Sequence, residues 1–249
     1  MHCSIIIPAR LKSTRFPAKP LAMINGRALI LRVVDIASKL IGKDCVFVAT
    51  DADEIDRLVK DNGFQSIMTS PDNLTGTDRV AEAAKYVNSD IIINIQGDEP
   101  MIEIADIQRV IDAKMAKPNM VANAYCRLNK GQDPVDVNIP KVVVNEVNKL
   151  LYMSRAAVPG TKSGLAEVYF RQVCIYGFNH QELNEFARFG RKSDLEVQED
   201  IEILRFFELG RDINMVEVAG GSLAVDVPED VAKVEAALNT QKNETHQRV

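Results

Sequence analysis

The stretch Ser4-Ile5-Ile6-Ile7-Pro8-Ala9-Arg10-Leu11-Lys12-Ser13-Thr14-Arg15-Phe16-Pro17-Ala18-Lys19-Pro20 decides the fold of this 249-residue chain. The apolar run Ile5 to Ile7 predicts a short strand buried in a parallel sheet, and we expect it to end at Pro8. Four cations then follow within ten residues: Arg10, Lys12, Arg15 and Lys19. A loop after the first strand is where open α/β sheets bind ligands. Guanidinium and ammonium groups there suit a polyphosphate.

The alternative is that these charges belong only to a solvated loop. No glycine lies between Arg10 and Lys19, so the segment matches neither the P-loop nor the GxGxxG pattern. If the loop binds phosphate, it does so mainly with side chains, to which the Ser13 hydroxyl adds a donor.

Composition narrows the class of ligand. Apolar residues make up 46% of the chain and charged residues 26%, which is ordinary for a globular protein. The net charge of −5 argues against a nucleic-acid-binding surface, since such surfaces are usually basic. The longest apolar runs are shorter than the roughly 18 residues of a membrane span, and we expect a cytoplasmic protein without a signal peptide. The four cysteines form no CxxC pair and the three histidines are scattered, so reduced thiols are expected and a zinc site is not.

The order of strand-like and helix-like segments predicts the architecture. From Ile5 to Ile95 the pattern reads β-α-β-α-β-α-β with short connections, which predicts a three-layer α/β fold with a parallel sheet. Beyond Pro100 the pattern is less regular. The segment from Leu195 to Leu209 is predicted to be one helix, with Leu195, Gln198, Ile201, Glu202 and Arg205 on a shared face.

Two further segments could carry chemistry. Thr75 and Thr77 flank Gly76 just before a predicted helix, where free N–H groups can bind an anion. An ordinary N-cap by Thr77 is the slightly favoured alternative. Asp98, at the carboxyl end of the fourth strand, could hold magnesium on a nucleotide phosphate rather than merely form a turn. Asp226 could supply a second carboxylate, or could simply cap the helix that follows.

These pieces together resemble one family, the CMP-Kdo synthetases, which are 3-deoxy-D-manno-octulosonate cytidylyltransferases. The resemblance runs in order from Ile5 to about Leu238. It rests on Pro8 to Pro20, Val48 to Asp51, Thr75 to Arg79, Asn94 to Pro100, Tyr152 to Pro159, Ile175 to Phe178, Leu195 to Arg205 and Val225 to Asp230. It implies a Rossmann-like, GT-A-like nucleotidyltransferase fold with a mostly parallel central sheet. The expected organisation is one domain over 1–249, with a nucleotide-binding half (1–125) and a sugar-binding and dimerisation half (126–240).

The resemblance also implies a reaction and a site. The enzyme would transfer CMP from CTP to the anomeric oxygen of Kdo or a close 3-deoxy-ulosonic acid, releasing pyrophosphate, for bacterial lipopolysaccharide or other surface polysaccharide. Mg²⁺ is the implied cofactor and a homodimer the implied assembly. The implied site residues are Arg10, Ser13, Arg15 and Lys19 on the triphosphate; Pro8, Ala9, Thr75, Gly76 and Thr77 around the cytidine; Asp98 and Asp226 on Mg²⁺; and Gln96, Arg155, Gln172, Tyr176 and Glu202 around the sugar. Within these sets, Arg10, Lys19, Asp98 and Asp226 are the expected catalytic residues and Arg155 the expected partner of the sugar carboxylate.

Four positions depart from the family pattern. Glycine is usual at Lys12 and Ala18, so a left-handed backbone at either would carry strain of about 1 kcal/mol. Histidine is usual at Gln172 and glutamine at Ile203. Since both residues are expected to border the sugar, we hypothesise that the sugar substrate is a modified or different 3-deoxy-ulosonic acid. Two other functions stay open: a nucleotidyltransferase for a sialic-acid-like sugar or a hexose phosphate, and an inactive nucleotide-sensing protein.

Overall fold

A computed structural model describes residues 1–12, 15–129 and 131–247, with side chains as far as 241. Its centre is one sheet of nine strands: β1 (Cys3–Ala9), β4 (Val46–Thr50), β5 (Gln65–Met68), β6 (Ile91–Ile95), β7 (Val121–Arg127), β8 (Lys141–Val144), β9 (Leu150–Ser154), β12 (Phe170–Phe178) and β13 (Ile213–Glu217). The main strand order is β13-β7-β12-β6-β1-β4-β5, and β8 pairs with both β12 and β9. Two small hairpins stand apart: β2 (Met23–Ile24) with β3 (Arg27–Ala28), and β10 (Gly160–Thr161) with β11 (Gly164–Leu165).

Helices cover both faces of the sheet. They are α1 (Leu29–Ile41), α2 (Asp53–Asp61), α3 (Gly76–Ala84), α4 (Ile104–Ala116), α5 (His180–Arg188), α6 (Asp194–Glu199), α7 (Arg205–Glu208) and α8 (Glu229–Gln247). One core cluster packs α1, α2 and α4 on one face, and a second packs α3, α5 and the segment around α7 on the other. The predicted three-layer α/β fold is therefore confirmed.

The sheet is parallel in the first half of the chain, where strand-like and helix-like segments alternate regularly. β1 pairs in parallel with both β4 and β6, and β4 pairs in parallel with β5. β12 runs antiparallel between β6 and β7, while β13 pairs in parallel with β7. The mostly parallel sheet with a less regular second half is as predicted.

The first strand is longer than predicted, since it passes through Pro8 to Ala9. Its pairing with β6 ends at Ile6 opposite Asn94, whereas its pairing with β4 continues to Ala9 opposite Thr50. Pro8 therefore lies where the strand has a neighbour on one side only, and there a proline without an N–H is tolerated.

The single helix predicted over Leu195 to Leu209 is wrong. α6 ends at Glu199, Asp200 adopts a left-handed backbone with φ 49°, and a 3-10 turn over Glu202–Leu204 leads into α7. Aspartate is one of the few non-glycine residues that tolerates this conformation. The break turns Ile203 into the core, where it is 2% exposed, and Glu202 toward α3.

No helix in the described part of the chain is long and apolar enough to span a membrane.

Candidate active site

A cleft of about 620 Å³ opens at the carboxyl ends of β1 and β6. Its lining comprises Pro8, Ala9, Arg10, Arg15, Lys19, Pro20, Asn73, Leu74, Thr75, Gly76, Arg79, Gln96, Gly97, Asp98, Asn138, Arg155, Lys192, Glu196, Asp200, Glu202 and Asp226. Parallel β1 and β6 bring their loops together at this edge, which is where open α/β sheets bind ligands. A Cβ at Gly97 would lie 3.2 Å from the Pro8 carbonyl oxygen, so the close approach of the two loops requires glycine there.

Two carboxylates converge on one cation in this cleft. The Lys19 ammonium donates to Asp98 at 2.6 Å and lies 3.8 Å from Asp226, and Arg15 contacts Asp226 at 3.3 Å. Ahead of α8, the Asp230 carboxylate accepts the N–H groups of Asp226 and Val227, while the Asp226 carboxylate faces Arg15 and Lys19. No hydrogen bond between the Asp226 carboxylate and α8 is present among the described residues to support the capping alternative, and we name Arg15, Lys19, Asp98 and Asp226 the phosphate-side cluster.

The loop that carries Lys19 stores some backbone strain. Ala18 has φ 54° and ψ 28°, a left-handed conformation that costs a residue with a Cβ atom about 1 kcal/mol. Its N–H donates to the Leu11 carbonyl at 3.1 Å, which closes the loop before Lys19. The strain anticipated for Ala18 is present, whereas Lys12 is not among the described residues with positive φ. Ser13, a predicted triphosphate ligand, lies outside the described residues.

The first turn of α3 borders the cleft, but its N–H groups already have a carboxylate. Glu202 accepts hydrogen bonds from the Gly76 N–H at 3.1 Å, the Thr77 N–H at 2.8 Å and the Thr77 hydroxyl at 2.6 Å. Thr75, not Thr77, is the N-cap, since its hydroxyl accepts from the Asp78 N–H. Thr77 is 3% exposed and does not line the cleft, so the prediction that it borders a ligand is corrected.

A titratable carboxyl lies beside Asp98. Burial, together with the neighbouring Asp98 and Asp226 carboxylates, raises the pKa of Glu99 to about 7, while Arg171 acts in the opposite direction. Because a raised pKa means that the neutral form is accessible near neutral pH, Glu99 need not add a third full negative charge to the phosphate-side cluster.

Arg155 lines the cleft as predicted, in a fixed position. Its guanidinium donates to three backbone carbonyls: Glu199 through Nε, Val137 at 2.7 Å and Asp200 at 2.9 Å. Its own N–H donates to the Glu199 carboxylate at 2.8 Å. These neutral acceptors orient the guanidinium without cancelling its positive charge.

Gln172 and Tyr176 do not line the cleft, contrary to the sequence prediction. Both point to the buried face of β12, where the Gln172 amide donates to the Asn123 side chain at 3.1 Å and to the Tyr176 hydroxyl at 3.2 Å. Burial first, and then the Cys174 thiol and the Glu202 carboxylate, raise the Tyr176 pKa well above its usual value. Neither Gln172 nor Ile203 is among the residues that line the cleft, and the hypothesis of a modified sugar stays a prediction.

The remaining predicted site residues do meet in one cleft: Pro8, Ala9, Arg10, Arg15, Lys19, Thr75, Gly76, Gln96, Asp98, Arg155, Glu202 and Asp226. Sequence reasoning did not assign the other residues of the lining to a site, among them Asn138, Lys192 and Asp200. The break of the predicted helix after Glu199, which leaves Asp200 at the cleft, was not predicted either.

Comparison with known proteins identifies the family. The family model described as cytidylyltransferase matches residues 4–213. The chain belongs to the cytidylyltransferase family. A 3-deoxy-manno-octulosonate cytidylyltransferase of Anaeromyxobacter dehalogenans (strain 2CP-C) is 40% identical to this cytidylyltransferase over 240 residues, covering 95% of the chain and 98% of the relative. An 8-amino-3,8-dideoxy-manno-octulosonate cytidylyltransferase of Shewanella baltica is 36% identical over 248 residues, covering 96% and 99%.

Solved structures agree with the sequence relatives. The CMP:2-keto-3-deoxy-manno-octonic acid synthetase complexed with CTP superposes on this cytidylyltransferase with a TM-score of 0.90 and 33% identity, covering 97% of the chain and all of the neighbour. The inositol-1-phosphate CTP transferase of T. maritima, at 14% identity and a TM-score of 0.68, shares the fold.

The contact of Glu202 with α3 leads to a first prediction. Glu202→Gln should lower the free energy of unfolding by about 1–2 kcal/mol, because a neutral amide replaces the carboxylate on the helix N-terminus and its NH₂ opposes the N–H donors. As Thr75 and Gly76 line the cleft, the KM for CTP should also rise about threefold or more. Urea denaturation and steady-state kinetics measure the two effects. Exposed Glu208→Gln is the matched control, and equal stability of the two variants would contradict the capping role.

Proposed function

We propose that the protein transfers CMP from CTP to the anomeric hydroxyl of 3-deoxy-D-manno-octulosonate or a close 3-deoxy-ulosonic acid, releasing pyrophosphate. The observation that carries this proposal is the convergence of Asp98 and Asp226 on Lys19, beside Arg15, in the cleft that Arg10 also lines. Cations suited to a triphosphate thus meet carboxylates suited to a metal ion. An inactive nucleotide-sensing protein would lack part of this set, so we favour the enzyme.

Asp98 and Asp226 fit a magnesium ion whose other ligands come from the nucleotide. In the described part of the chain no three His, Cys, Asp or Glu side chains form a metal site on their own. Magnesium commonly takes only one or two protein carboxylates, with phosphate oxygens and waters completing its shell. Two carboxylates that already share one ammonium are suited to a small cation. When bound, the ion would neutralise charge on the phosphates.

The side chains of the cleft account for the remaining chemistry. Attack of the sugar oxygen on the α-phosphorus needs alignment of the reacting atoms and cancellation of negative charge, and it needs no protein nucleophile. Arg10, Arg15 and Lys19 would bind the triphosphate and stabilise the departing pyrophosphate. Pro8, Ala9, Thr75 and Gly76 would border the cytidine, and Gln96, Arg155 and Glu202 the sugar.

Two ulosonic acids are candidate substrates. The relatives include cytidylyltransferases named for 3-deoxy-manno-octulosonate and others named for its 8-amino-3,8-dideoxy analogue, at 36–40% and 36–37% identity respectively. We place the unmodified sugar first because it appears in the name of the relative with the higher identity.

We further propose that the protein acts in the cytoplasm, where CTP is made, and as a homodimer that supplies lipopolysaccharide synthesis. Support for the dimer comes from exposed apolar side chains on the second half of the chain: Val135, Val137, Leu151 and Leu165 are each more than half exposed. A second copy of the chain would remove these side chains from water.

Pyrophosphate release tests the function directly. With Mg²⁺ and 3-deoxy-D-manno-octulosonate, we expect sugar-dependent release with CTP, and at least about tenfold less with ATP, GTP or UTP. The 8-amino sugar, a sialic acid and a hexose phosphate are run alongside, with no-sugar and EDTA controls. Turnover of only a sialic acid or a hexose phosphate would establish the alternative transferase, and CTP binding without any turnover would favour the nucleotide sensor.

A further inference from the structure

The cleft carries a second set of charges that the phosphate-side cluster does not use. It consists of Arg155, Lys192 and Asp200, all of which line the cleft. The Asp200 carboxylate directs one oxygen toward each cation: Oδ2 lies 3.6 Å from Arg155 Nη2, and Oδ1 lies 3.7 Å from Lys192 Nζ. We call these three residues the carboxylate-side cluster.

We propose that Lys192, together with Arg155, binds the carboxylate of the sugar acid, and that Asp200 occupies this position until the substrate displaces it. The inference rests on the proposed function and adds a specificity-determining residue to it. Lys192 is the new assignment, because neither the sequence motifs nor the resemblance points to it.

The first argument concerns how firmly each of the two cations, Arg155 and Lys192, is held in place. Three backbone carbonyls fix the Arg155 guanidinium and occupy three of its five N–H donors. Lys192 is held less firmly, since its ammonium has its ion pair with Asp200 at a separation beyond hydrogen-bonding distance. One oriented guanidinium and one adaptable ammonium therefore face the same carboxylate, an arrangement that suits a carboxylate ligand.

The second argument is that Asp200 can be displaced at little cost. Its side chain is 77% exposed and both of its ion pairs are long. Exposed ion pairs contribute little free energy, so a substrate carboxylate can replace Asp200 without a large penalty. The left-handed backbone at Asp200 also ends α6 and directs the carboxylate to the cleft.

The test is a kinetic comparison of Lys192→Met, Lys192→Arg and Asp200→Asn with the unmodified enzyme. For Lys192→Met we expect the KM for 3-deoxy-D-manno-octulosonate to rise about tenfold while the KM for CTP changes less than about twofold. Lys192→Arg should stay within about threefold of the unmodified enzyme, because the charge is kept. Asp200→Asn should lower the sugar KM about threefold, since asparagine also tolerates φ 49° and only the competing charge is lost.

Two controls separate recognition from a structural effect. Lys43→Met removes an exposed lysine just before β4, at the amino end of the strand and so away from the cleft at the carboxyl ends, and should leave both KM values unchanged. The carboxamide of the sugar should bind to the unmodified enzyme about tenfold more weakly than the acid, and Lys192→Met should shrink that difference. The proposal would be overturned if Lys192→Met left the KM for the sugar unchanged, or if it raised the KM for the sugar and the KM for CTP equally.

Binding is measured separately, so that failure of the proposed function can be recognised. Calorimetry with 3-deoxy-D-manno-octulosonate in the presence of CTP and Ca²⁺ does not require turnover. If the unmodified protein shows no turnover but binds the sugar acid more tightly than Lys192→Met does, the proposed function fails and the carboxylate site stands. Equal binding by the two proteins, or no binding by either, would overturn the site itself.

Discussion

Replacing Asp98 by asparagine should lower kcat/KM for pyrophosphate release by about 10³-fold, which corresponds to roughly 4 kcal/mol of transition-state stabilisation. Asp98 is the more buried of the two carboxylates near Lys19, with its side chain 27% exposed against 49% for Asp226. Asparagine keeps an oxygen that can accept from Lys19 but removes the negative charge that would attract magnesium. The loss should therefore appear in turnover and not in the fold.

The experiment needs three measurements on the Asp98→Asn protein. Its melting temperature should stay within about 2 °C of the unmodified protein, and its affinity for CTP without metal should not fall. A titration of Mg²⁺ should show a higher concentration for half-maximal rate. Asp61→Asn, at an exposed position in α2, is the matched control. If Asp98→Asn kept more than about a tenth of the original turnover, the metal role of Asp98 would be refuted.

The second large effect is expected on stability, at Arg205. This arginine is fully buried and joins two carboxylates from different parts of the chain. It donates to Glu196 through Nε and Nη2, both at 2.7 Å, and to Asp78 at 2.8 and 3.1 Å. Its guanidinium also stacks on the Phe186 ring at 3.8 Å. Arg205→Met should therefore lower the free energy of unfolding by about 3–5 kcal/mol, because two largely buried carboxylates lose their cation.

A compensating variant separates charge from packing. Arg205→Met combined with Asp78→Asn and Glu196→Gln removes the uncompensated charges, and we expect it to regain part of the lost stability. Arg191→Met removes an exposed arginine paired with Asp194 and should change stability by less than about 0.5 kcal/mol. Urea denaturation of all four proteins gives the comparison. A loss below about 1 kcal/mol for Arg205→Met would contradict this account of the buried ion pairs.

Arg205 also explains how the cleft is assembled. Asp78 belongs to α3 and Glu196 to α6, so the arginine fixes the first turn of α3 against the segment that carries Glu202. Glu202 makes a second connection to the same turn. The two contacts join the elements expected to border the cytidine to those expected to border the sugar.

The sequence by itself determined the layers, the parallel first half of the sheet, the family and most of the phosphate-side cluster. These features are local or periodic: Ile5 to Ile7 forms a strand through its apolar side chains, and Arg15 and Lys19 lie in the loop that follows it. Asp98 follows from the same logic, since it lies in the turn after β6, which pairs with β1. The positions of these groups depend on strand order more than on any particular long-range contact.

Only the tertiary structure decided which charges meet. Glu202 caps a helix 126 residues earlier in the chain, and Arg205 reaches Asp78 across 127 residues. The left-handed backbone at Asp200 interrupts a helical pattern, and Arg155, which directly follows β9, binds the carbonyls of Glu199 and Asp200 at this break. Local propensity carries no information about such partners, since their free energy exists only when distant segments are packed together.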